Sequence, residues 1–199
     1  APLLTDEDWT RLFAEASEIG VSFCLLAGGE PMMRRGVLES AAKHRAILFP
    51  VFTNGTLLSE NMLALIDQNR NLVPIVSIEG DEGQTDARRG AGTYAKLTAN
   101  MDRMREKGVL FGASVTLTTE NLAIVTSDAF LNRLRTLGAK VVFFVDYVPA
   151  DAGTERLAPG DAERALLSSR LDALRAAQDG MIYVSFPGDE QFSDGCLAA

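Results

Sequence analysis

The stretch Leu-Val-Pro-Ile-Val-Ser-Ile-Glu-Gly at residues 72–80 carries the clearest fold signal in the sequence. Its apolar residues form a nearly continuous run, which is typical of a strand buried on both faces, as in parallel sheets. Similar runs occur at residues 21–27, 47–53, 109–117, 140–148 and 181–186. Segments with helical periodicity separate these runs, at residues 5–18, 37–45, 60–69, 93–107, 126–137 and 161–178.

Helices and strands therefore alternate along the chain, which predicts right-handed crossovers and a mostly parallel sheet in an α/β fold. Such a sheet is either open and doubly wound or curled into a barrel. A parallel fold of this kind normally opens on a strand, whereas this chain opens on a helix, so we expect its first strand to be missing. We expect one core at residues 1–186, with residues 187–199 as the start of a shortened C-terminal extension.

The composition is that of an ordinary globular protein and argues against several functions. Hydrophobic residues make up 47% of the chain and charged residues 23%. Lys and Arg number 19 against 27 Asp and Glu, a net charge of −8, which disfavours a phosphate-binding nucleic-acid surface. No apolar run reaches the ~18 residues of a membrane helix, and no signal-peptide pattern is present. We expect a cytoplasmic protein with no nucleic-acid or membrane partner.

Ligands of parallel α/β folds bind beyond the carboxyl ends of the strands, so the residues after each strand are the candidate site. Gly28-Gly29-Glu30-Pro31 follows the first predicted strand, with glycines that let a ligand approach the backbone and a carboxylate suited to an ammonium group. Thr53 and Asn54 follow the second predicted strand. Ser77 and Glu79 end the third, on one side of it. Each turn taken alone is equally typical of an ordinary strand-to-helix connection.

Further polar groups lie near the same predicted edge. The fourth predicted strand carries hydroxyls at Ser114, Thr116 and Thr118, which bind either a ligand or a neighbouring carbonyl. Residues 88–94 hold two arginines that either bind a carboxylate or lie in a solvated loop. Near the end of the fifth strand, three residues either face a ligand or simply cap the loop: Asp146, Tyr147 and Asp151.

Several common sites have no counterpart in the sequence. There is no P-loop and no Gly-x-Gly-x-x-Gly after a strand, the fingerprints of nucleoside-triphosphate and dinucleotide binding. The one histidine, His44, lies between Lys43 and Arg45 near a helix end, which is typical of a surface position. Cys24 is predicted to be a small core residue, whereas Cys196, in a glycine-containing tail, is a candidate metal ligand.

The order and spacing of the strand-end motifs are specific when taken together. Residues 5–148 resemble the radical S-adenosylmethionine (radical SAM) superfamily through four segments: Gly28–Pro31, Thr53–Thr56, Ser77–Gly80 and Arg89–Tyr94. In that family a partial TIM barrel holds a 4Fe–4S cluster on a Cys-x3-Cys-x2-Cys loop. The cluster cleaves S-adenosylmethionine reductively, and the resulting radical abstracts hydrogen from a substrate.

The resemblance implies which residues contact the cofactor. The segment Gly28, Gly29, Glu30 and Pro31 corresponds to the one that contacts the methionine amino group. Glu79, with Ser77 beside it, corresponds to the residue that reaches the ribose. Ser114 and Thr116 correspond to groups that approach the methionyl end, and Thr53 and Asn54 complete the strand-end set.

The sequence departs from the family in its metal ligands. It contains no Cys-x3-Cys-x2-Cys, and its two cysteines cannot replace three. We therefore expect a fragment whose cluster loop lies upstream, and no activity from this chain alone. The alternatives are a degenerate, cluster-free barrel that binds a nucleoside or regulates a partner, and an unrelated enzyme with a phosphate site beside Gly28 or Gly90. Cys196 resembles the first ligand of a SPASM or twitch extension, which would hold an auxiliary Fe–S cluster.

The substrate and the oligomeric state are less determined. Either a peptide or a small molecule fits the resemblance, and the acidic charge argues against a nucleic acid. A truncated barrel leaves a bare sheet edge and apolar surface, which predicts contacts between two copies of the chain or poor solubility.

Overall fold

A computed structural model describes residues 4–189 of the chain. Its centre is a five-stranded sheet in which neighbouring strands are parallel and the strand order follows the chain. The strands are β1 (Phe49–Thr53), β2 (Leu72–Ser77), β3 (Gly112–Leu117), β4 (Val141–Asp146) and β5 (Ile182–Phe186). The predicted α/β class with a parallel sheet is confirmed, since at least one helix lies between each pair of successive strands.

Helices connect the strands and begin largely where the sequence supplies caps. They are α1 (Asp6–Glu18), α2 (Arg35–Lys43), α3 (Glu60–Gln68), α4 (Glu82–Arg89), α5 (Thr93–Glu106), α6 (Leu122–Val125), α7 (Asp128–Leu137) and α8 (Asp161–Ala177), with 3₁₀ turns at Pro31–Met33 and Glu155–Leu157. Thr5 and Asp8 form a capping box at the start of α1, and Ser59 caps α3. The sequence analysis missed α4, because this helix is polar nearly all round and buries only Thr85.

The first predicted strand, residues 21–27, lies beside β1 without forming a regular strand. It makes two isolated parallel bridges, Phe23 with Leu48 and Leu26 with Val51. The N–H of Leu26 donates to the Pro50 carbonyl at 2.8 Å. This segment therefore takes the place of a further strand next to β1 and delivers residues 28–31 to the carboxyl end of β1.

The two faces of the sheet differ in burial. One face packs beneath the helices, where Ala113, Val115 and Phe144 are fully buried. The alternate residues point to the opposite face, which we call the inner face. There the side chains of β4 and β5 are only partly buried, and Ile182 is 64% exposed.

The inner face is concave. Phe52 of β1 and Phe143 of β4 meet edge to face with their ring centroids 5.2 Å apart. Two residues on strands three spacings apart in a flat sheet would be separated by about 14 Å. The sheet is therefore strongly curved. Gly112 on β3 permits the close strand contact within it, because a Cβ there would lie 2.3 Å from a side-chain carbon of Val141.

Some predictions concern parts of the chain outside the described residues. Cys196, the candidate metal ligand, is one of them, and the proposed extension from residue 187 lies almost entirely there. Within residues 4–189, no helix has the length and apolar character that a membrane crossing requires.

Candidate functional site

The carboxyl ends of β1, β2 and β3 meet at one edge of the sheet, and most predicted site residues lie there. Thr53 ends β1 and Ser77 ends β2. The register places Thr53 opposite Val76, and Ser77 opposite Ser114. We call this edge, together with the inner face directly behind it, the mouth. The sequence analysis thus brought together residues that are up to 88 positions apart, from Gly28 to Thr116.

Glu30 fastens the glycine turn to the end of β1. One carboxylate oxygen accepts hydrogen bonds from the Thr53 hydroxyl at 2.7 Å and the Met32 N–H at 3.0 Å. The other accepts from the Asn54 N–H at 2.7 Å. The carboxylate that the sequence suggested for an ammonium group is therefore already the acceptor for three donors of this chain. Its first role is to position the turn.

Gly28 and Gly29 expose their backbone at the mouth. Gly28 has a φ of +127°, a conformation that residues with a side chain rarely adopt. A Cβ built at either glycine would meet no atom within 4 Å. The peptide groups of this turn are thus open to a ligand, while Pro31 begins the following 3₁₀ turn.

Thr53 and Asn54 shape the next connection. The Thr53 hydroxyl donates to Glu30 and accepts from the Gly55 N–H at 3.0 Å. The side-chain oxygen of Asn54 accepts from the backbone N–H and the hydroxyl of Thr56, at 2.9 and 2.7 Å. Most of the polar capacity of these two side chains is therefore used within the turn, which was the ordinary interpretation of this motif.

Hydroxyl groups line the inner face where β2 and β3 run side by side. Ser77 and Ser114 are direct neighbours across the two strands, and Thr116 lies two residues further toward the mouth. Ser114 is 9% exposed. Among the described residues, these three hydroxyls make no hydrogen bond with the protein, so a bound molecule is free to supply their partners.

Glu79 is the centre of a buried charge cluster just beyond β2. Its side chain is 3% exposed and accepts from Arg88 at 2.8 Å on one oxygen and from Arg89 at 2.9 Å on the other. Both arginines belong to the last turn of α4, the helix that the sequence analysis treated as a loop. The guanidinium of Arg88 also lies 5.8 Å from the ring centre of Tyr147. Glu79 thus lies just beyond the end of β2, and its carboxylate binds two arginines of this chain rather than being free to accept hydrogen bonds from a ligand's hydroxyl groups.

Asn121 is a site residue that the sequence analysis missed. It is 3% exposed, and its side-chain amide donates to the carbonyls of Glu79 and Thr116, at 3.2 and 2.9 Å. Its side-chain oxygen accepts from the Thr118 N–H at 2.8 Å. Asn121 therefore ties the ends of β2 and β3 together. The available signal was an Asn three residues after a strand-end Thr, a spacing that favours local side-chain-to-backbone bonds.

A cavity of about 370 Å³ opens at the mouth. Its lining includes Glu79, Arg88, Thr118, Asn121 and Tyr147. The volume falls within the usual range for small-ligand sites, about 300–1,000 Å³. The lining combines a cation, two carboxylates, an aromatic ring, amides and a hydroxyl, which together suit a polar molecule with a flat or apolar part.

The suggestion that Asp146 faces a ligand at the mouth is wrong. Strand register places it opposite Leu117, on the helix-covered face, where its side chain is 8% exposed and accepts from Arg164 of α8 at 2.7 Å. A second cavity of about 480 Å³ lies there, next to α8. Asp151 is exposed in the loop after β4. Only Tyr147, of these three candidates, lines the mouth.

The sulfur and imidazole groups of the described residues provide no metal site. No group of three or more His, Cys, Asp or Glu side chains within residues 4–189 could hold a metal ion. Burial raises the pKa of the Cys24 thiol, which therefore stays protonated. His44 is half-buried at the end of α2, with its ring centre 6.2 Å from that of Phe13.

Most of this chain is similar to known proteins. Residues 1–149 match the family model of the Radical SAM superfamily. The chain belongs to this superfamily. It is 30% identical over 169 residues to the AdoMet-dependent heme synthase of Methanosarcina barkeri (strain Fusaro / DSM 804), a match that covers 82% of this chain and 48% of that protein. It is 34% identical over 101 residues to the PqqA peptide cyclase of Rhizobium meliloti (strain 1021), covering 48% of this chain and 27% of the relative.

Solved structures show the same fold. The chain resembles Streptococcus suis SuiB bound to S-adenosylmethionine with a TM-score of 0.76 and 14% identity, over 93% of this chain and 44% of SuiB. The structure of SuiB bound to its precursor peptide SuiA gives a TM-score of 0.74 with 14% identity, over 96% of this chain and 45% of SuiB. The predicted radical SAM type of partial barrel is thereby confirmed. The chain spans less than half the length of each of these relatives.

Proposed function

We propose that this chain is the S-adenosylmethionine-binding part of a radical SAM enzyme. The observation that carries the proposal is the meeting of three features at one mouth: the exposed backbone of Gly28 and Gly29, the hydroxyl stripe of Ser77, Ser114 and Thr116, and the cavity beside Glu79. These features lie on four separate segments of the chain, all near the carboxyl ends of the strands.

Each part of the mouth has a proposed task. The peptide groups of Gly28 and Gly29 bind the methionine end of S-adenosylmethionine, in a turn that Glu30 holds against β1. Ser77, Ser114 and Thr116 donate hydrogen bonds from the inner face. Glu79 orients the nucleoside through its cluster with Arg88, and Asn121 keeps this cluster in register with β3. Together with the family's 4Fe–4S cluster, bound S-adenosylmethionine supplies hydrogen-atom abstraction chemistry.

The residues of this chain do not fit the 4Fe–4S cluster itself. Three thiolates are needed, and the sequence holds only Cys24 and Cys196. We therefore propose that the enzyme's cluster ligands lie outside these 199 residues, and that the chain alone does not cleave S-adenosylmethionine. When the chain is incubated with S-adenosylmethionine and dithionite, chromatography should show the S-adenosylmethionine intact. Cleavage of S-adenosylmethionine by the chain alone would contradict the proposal that the cluster ligands lie elsewhere.

A peptide is the substrate class that we favour. Two of the proteins compared above are linked to peptides by name, the PqqA peptide cyclase and SuiB with its precursor peptide SuiA. The net charge of −8 gives no support to a nucleic acid.

Binding of S-adenosylhomocysteine tests the proposed cofactor site without a cluster. Calorimetric titration of the 199-residue chain should show saturable binding. The double variant Ser77→Ala/Ser114→Ala should weaken it by about tenfold, the equivalent of about 1.4 kcal/mol. Ser168→Ala, which removes a hydroxyl lining the second cavity, is the matched control and should bind normally. Equal affinity of the double variant and the control, or no binding to any of the three, would contradict the proposal.

A further inference from the structure

The inner face is divided into a polar and an apolar half. On β2 and β3 it carries the hydroxyl stripe already described. On β4 and β5 it carries Phe143, Val145, Val184 and Phe186, all partly buried. Val145 and Phe186 are direct neighbours across the two strands and lie nearest the mouth. A bound molecule would therefore meet hydroxyls on one side and an apolar wall on the other.

The contact between Phe52 and Phe143 closes this face on the side away from the mouth. Their rings, 5.2 Å apart, meet across the concave side from β1 and β4. Phe143 is level with Ser77 and Ser114, whereas Val145 and Phe186 lie one step closer to the mouth. The ring pair is thus a floor beneath the apolar wall.

The floor decides what kind of group can occupy the apolar half. An α-helix is about 10 Å across with its side chains, too wide for a face whose opposite strands are joined by a ring contact. An α-helix inserted into this face therefore does not fit. A single side chain, entering from the mouth, does fit.

We propose that the apolar half binds an apolar side chain of a peptide substrate, and that the Phe52–Phe143 floor limits the length of that side chain. The inference rests on the proposed function, because it places the substrate beside the S-adenosylmethionine site. Its physical basis is the burial of apolar surface: a side chain that covers Val145 and Phe186 removes both partners from water. Glycine or a charged side chain gains nothing from this surface.

N-Acetyl-leucinamide, N-acetyl-tryptophanamide and N-acetyl-glycinamide serve as probes, with binding to the 199-residue chain measured by ligand-observed NMR. The unaltered chain should bind the leucine probe more tightly than the glycine probe. Val145→Asp should weaken the leucine probe by about tenfold, whereas Val148→Asp, in the exposed loop after β4, should not. Val145→Thr, close in shape to valine, keeps the test valid if the aspartate variant does not fold. Its binding should fall in the same direction.

The floor has its own test. Phe143→Ala should open the inner face and tighten binding of the tryptophan probe relative to the leucine probe. Phe144→Leu, a milder change at the next residue along β4, which is buried on the helix-covered face, is the control and should leave the preference unchanged. Equal probe binding in the Val145 and Val148 variants, or an unchanged size preference in Phe143→Ala, would overturn the inference. Titration of S-adenosylhomocysteine into the same variants separates this failure from failure of the proposed cofactor site.

Discussion

Replacement of Glu79 by glutamine measures how strongly the buried charge cluster supports the mouth. Glu79 is 3% exposed, and it is the carboxylate that both Arg88 and Arg89 contact. Glutamine keeps one acceptor oxygen but turns an NH₂ group toward one of the two guanidinium groups. The change therefore removes the negative charge and leaves one arginine facing another donor.

The magnitude follows from the burial of the partners. Removing one member of a buried ion pair costs about 3–5 kcal/mol in the free energy of unfolding. The side chains of Arg88 and Arg89 are 43% and 24% exposed, so both can recover part of their hydration. We therefore expect the lower end, about 3 kcal/mol, which for a domain of this size lowers the melting temperature by about 6–12 °C.

The assay is thermal unfolding of the variant followed by circular dichroism, with Glu120→Gln as the control. Glu120 lines the same cavity, but its ion pair with Arg156 is 59% and 72% exposed. Exposed pairs contribute about 0–1 kcal/mol, so the control should lose at most about 4 °C. If Glu79→Gln and Glu120→Gln melt at the same temperature, the cluster does not stabilise the mouth and our reasoning about Glu79 fails.

Four further substitutions probe other parts of the structure. Glu30→Gln should cost about 2 kcal/mol in urea unfolding, because an NH₂ group would face the N–H of Asn54 or the hydroxyl of Thr53; a loss no larger than that of the exposed Glu39→Gln would count against this role. Asn121→Ala should cost about 2–3 kcal/mol in the same assay, since it leaves the carbonyls of Glu79 and Thr116 and the N–H of Thr118 without their partner. Gly112→Ala should cost about 1–3 kcal/mol through its clash with Val141, whereas Gly29→Ala, in open space, should be nearly neutral; equal stabilities would refute the close strand contact. Burial and the hydrogen bond to Asp179 raise the pKa of Tyr183 to about 12, so its stabilising contribution is complete below pH 10 and is lost as the pH rises toward 12. Urea unfolding at about pH 9 and about pH 11.5 should therefore show a larger loss of stability in the unaltered chain than in Tyr183→Phe.

The sequence predicted that the strand-end motifs would converge at one edge of the sheet, but it did not predict their contacts. Parallel strands share one carboxyl edge, so motifs that follow separate strands had to converge, and Ser77 and Ser114 do so as direct neighbours. What these motifs bind depends on where neighbouring side chains point. Glu30 and Glu79 looked like free carboxylates, whereas one holds a turn and the other holds two arginines. For Asp146 the sequence left open a ligand contact or a loop cap, and only the strand register places its side chain on the helix-covered face.

The sequence analysis missed two features, and the structure shows why. Helix α4 has no apolar stripe, since its contacts with the sheet run through polar groups such as Thr85 and Arg89. Asn121 donates hydrogen bonds to backbone carbonyls at the ends of β2 and β3. No local sequence pattern predicts a hydrogen-bond acceptor 42 residues away.

The order of apolar runs and helical segments, by itself, determined the parallel α/β architecture, because strands buried on both faces need long hydrophobic runs and helical crossovers. The order of the strand-end motifs also indicated the superfamily, through its resemblance to the motifs of that family. Only the tertiary structure decided the curvature that brings Phe52 to Phe143 and the capture of Glu79 by Arg88 and Arg89. Both depend on side chains that are distant in the sequence or belong to an unpredicted helix, and their geometry is set by packing in three dimensions.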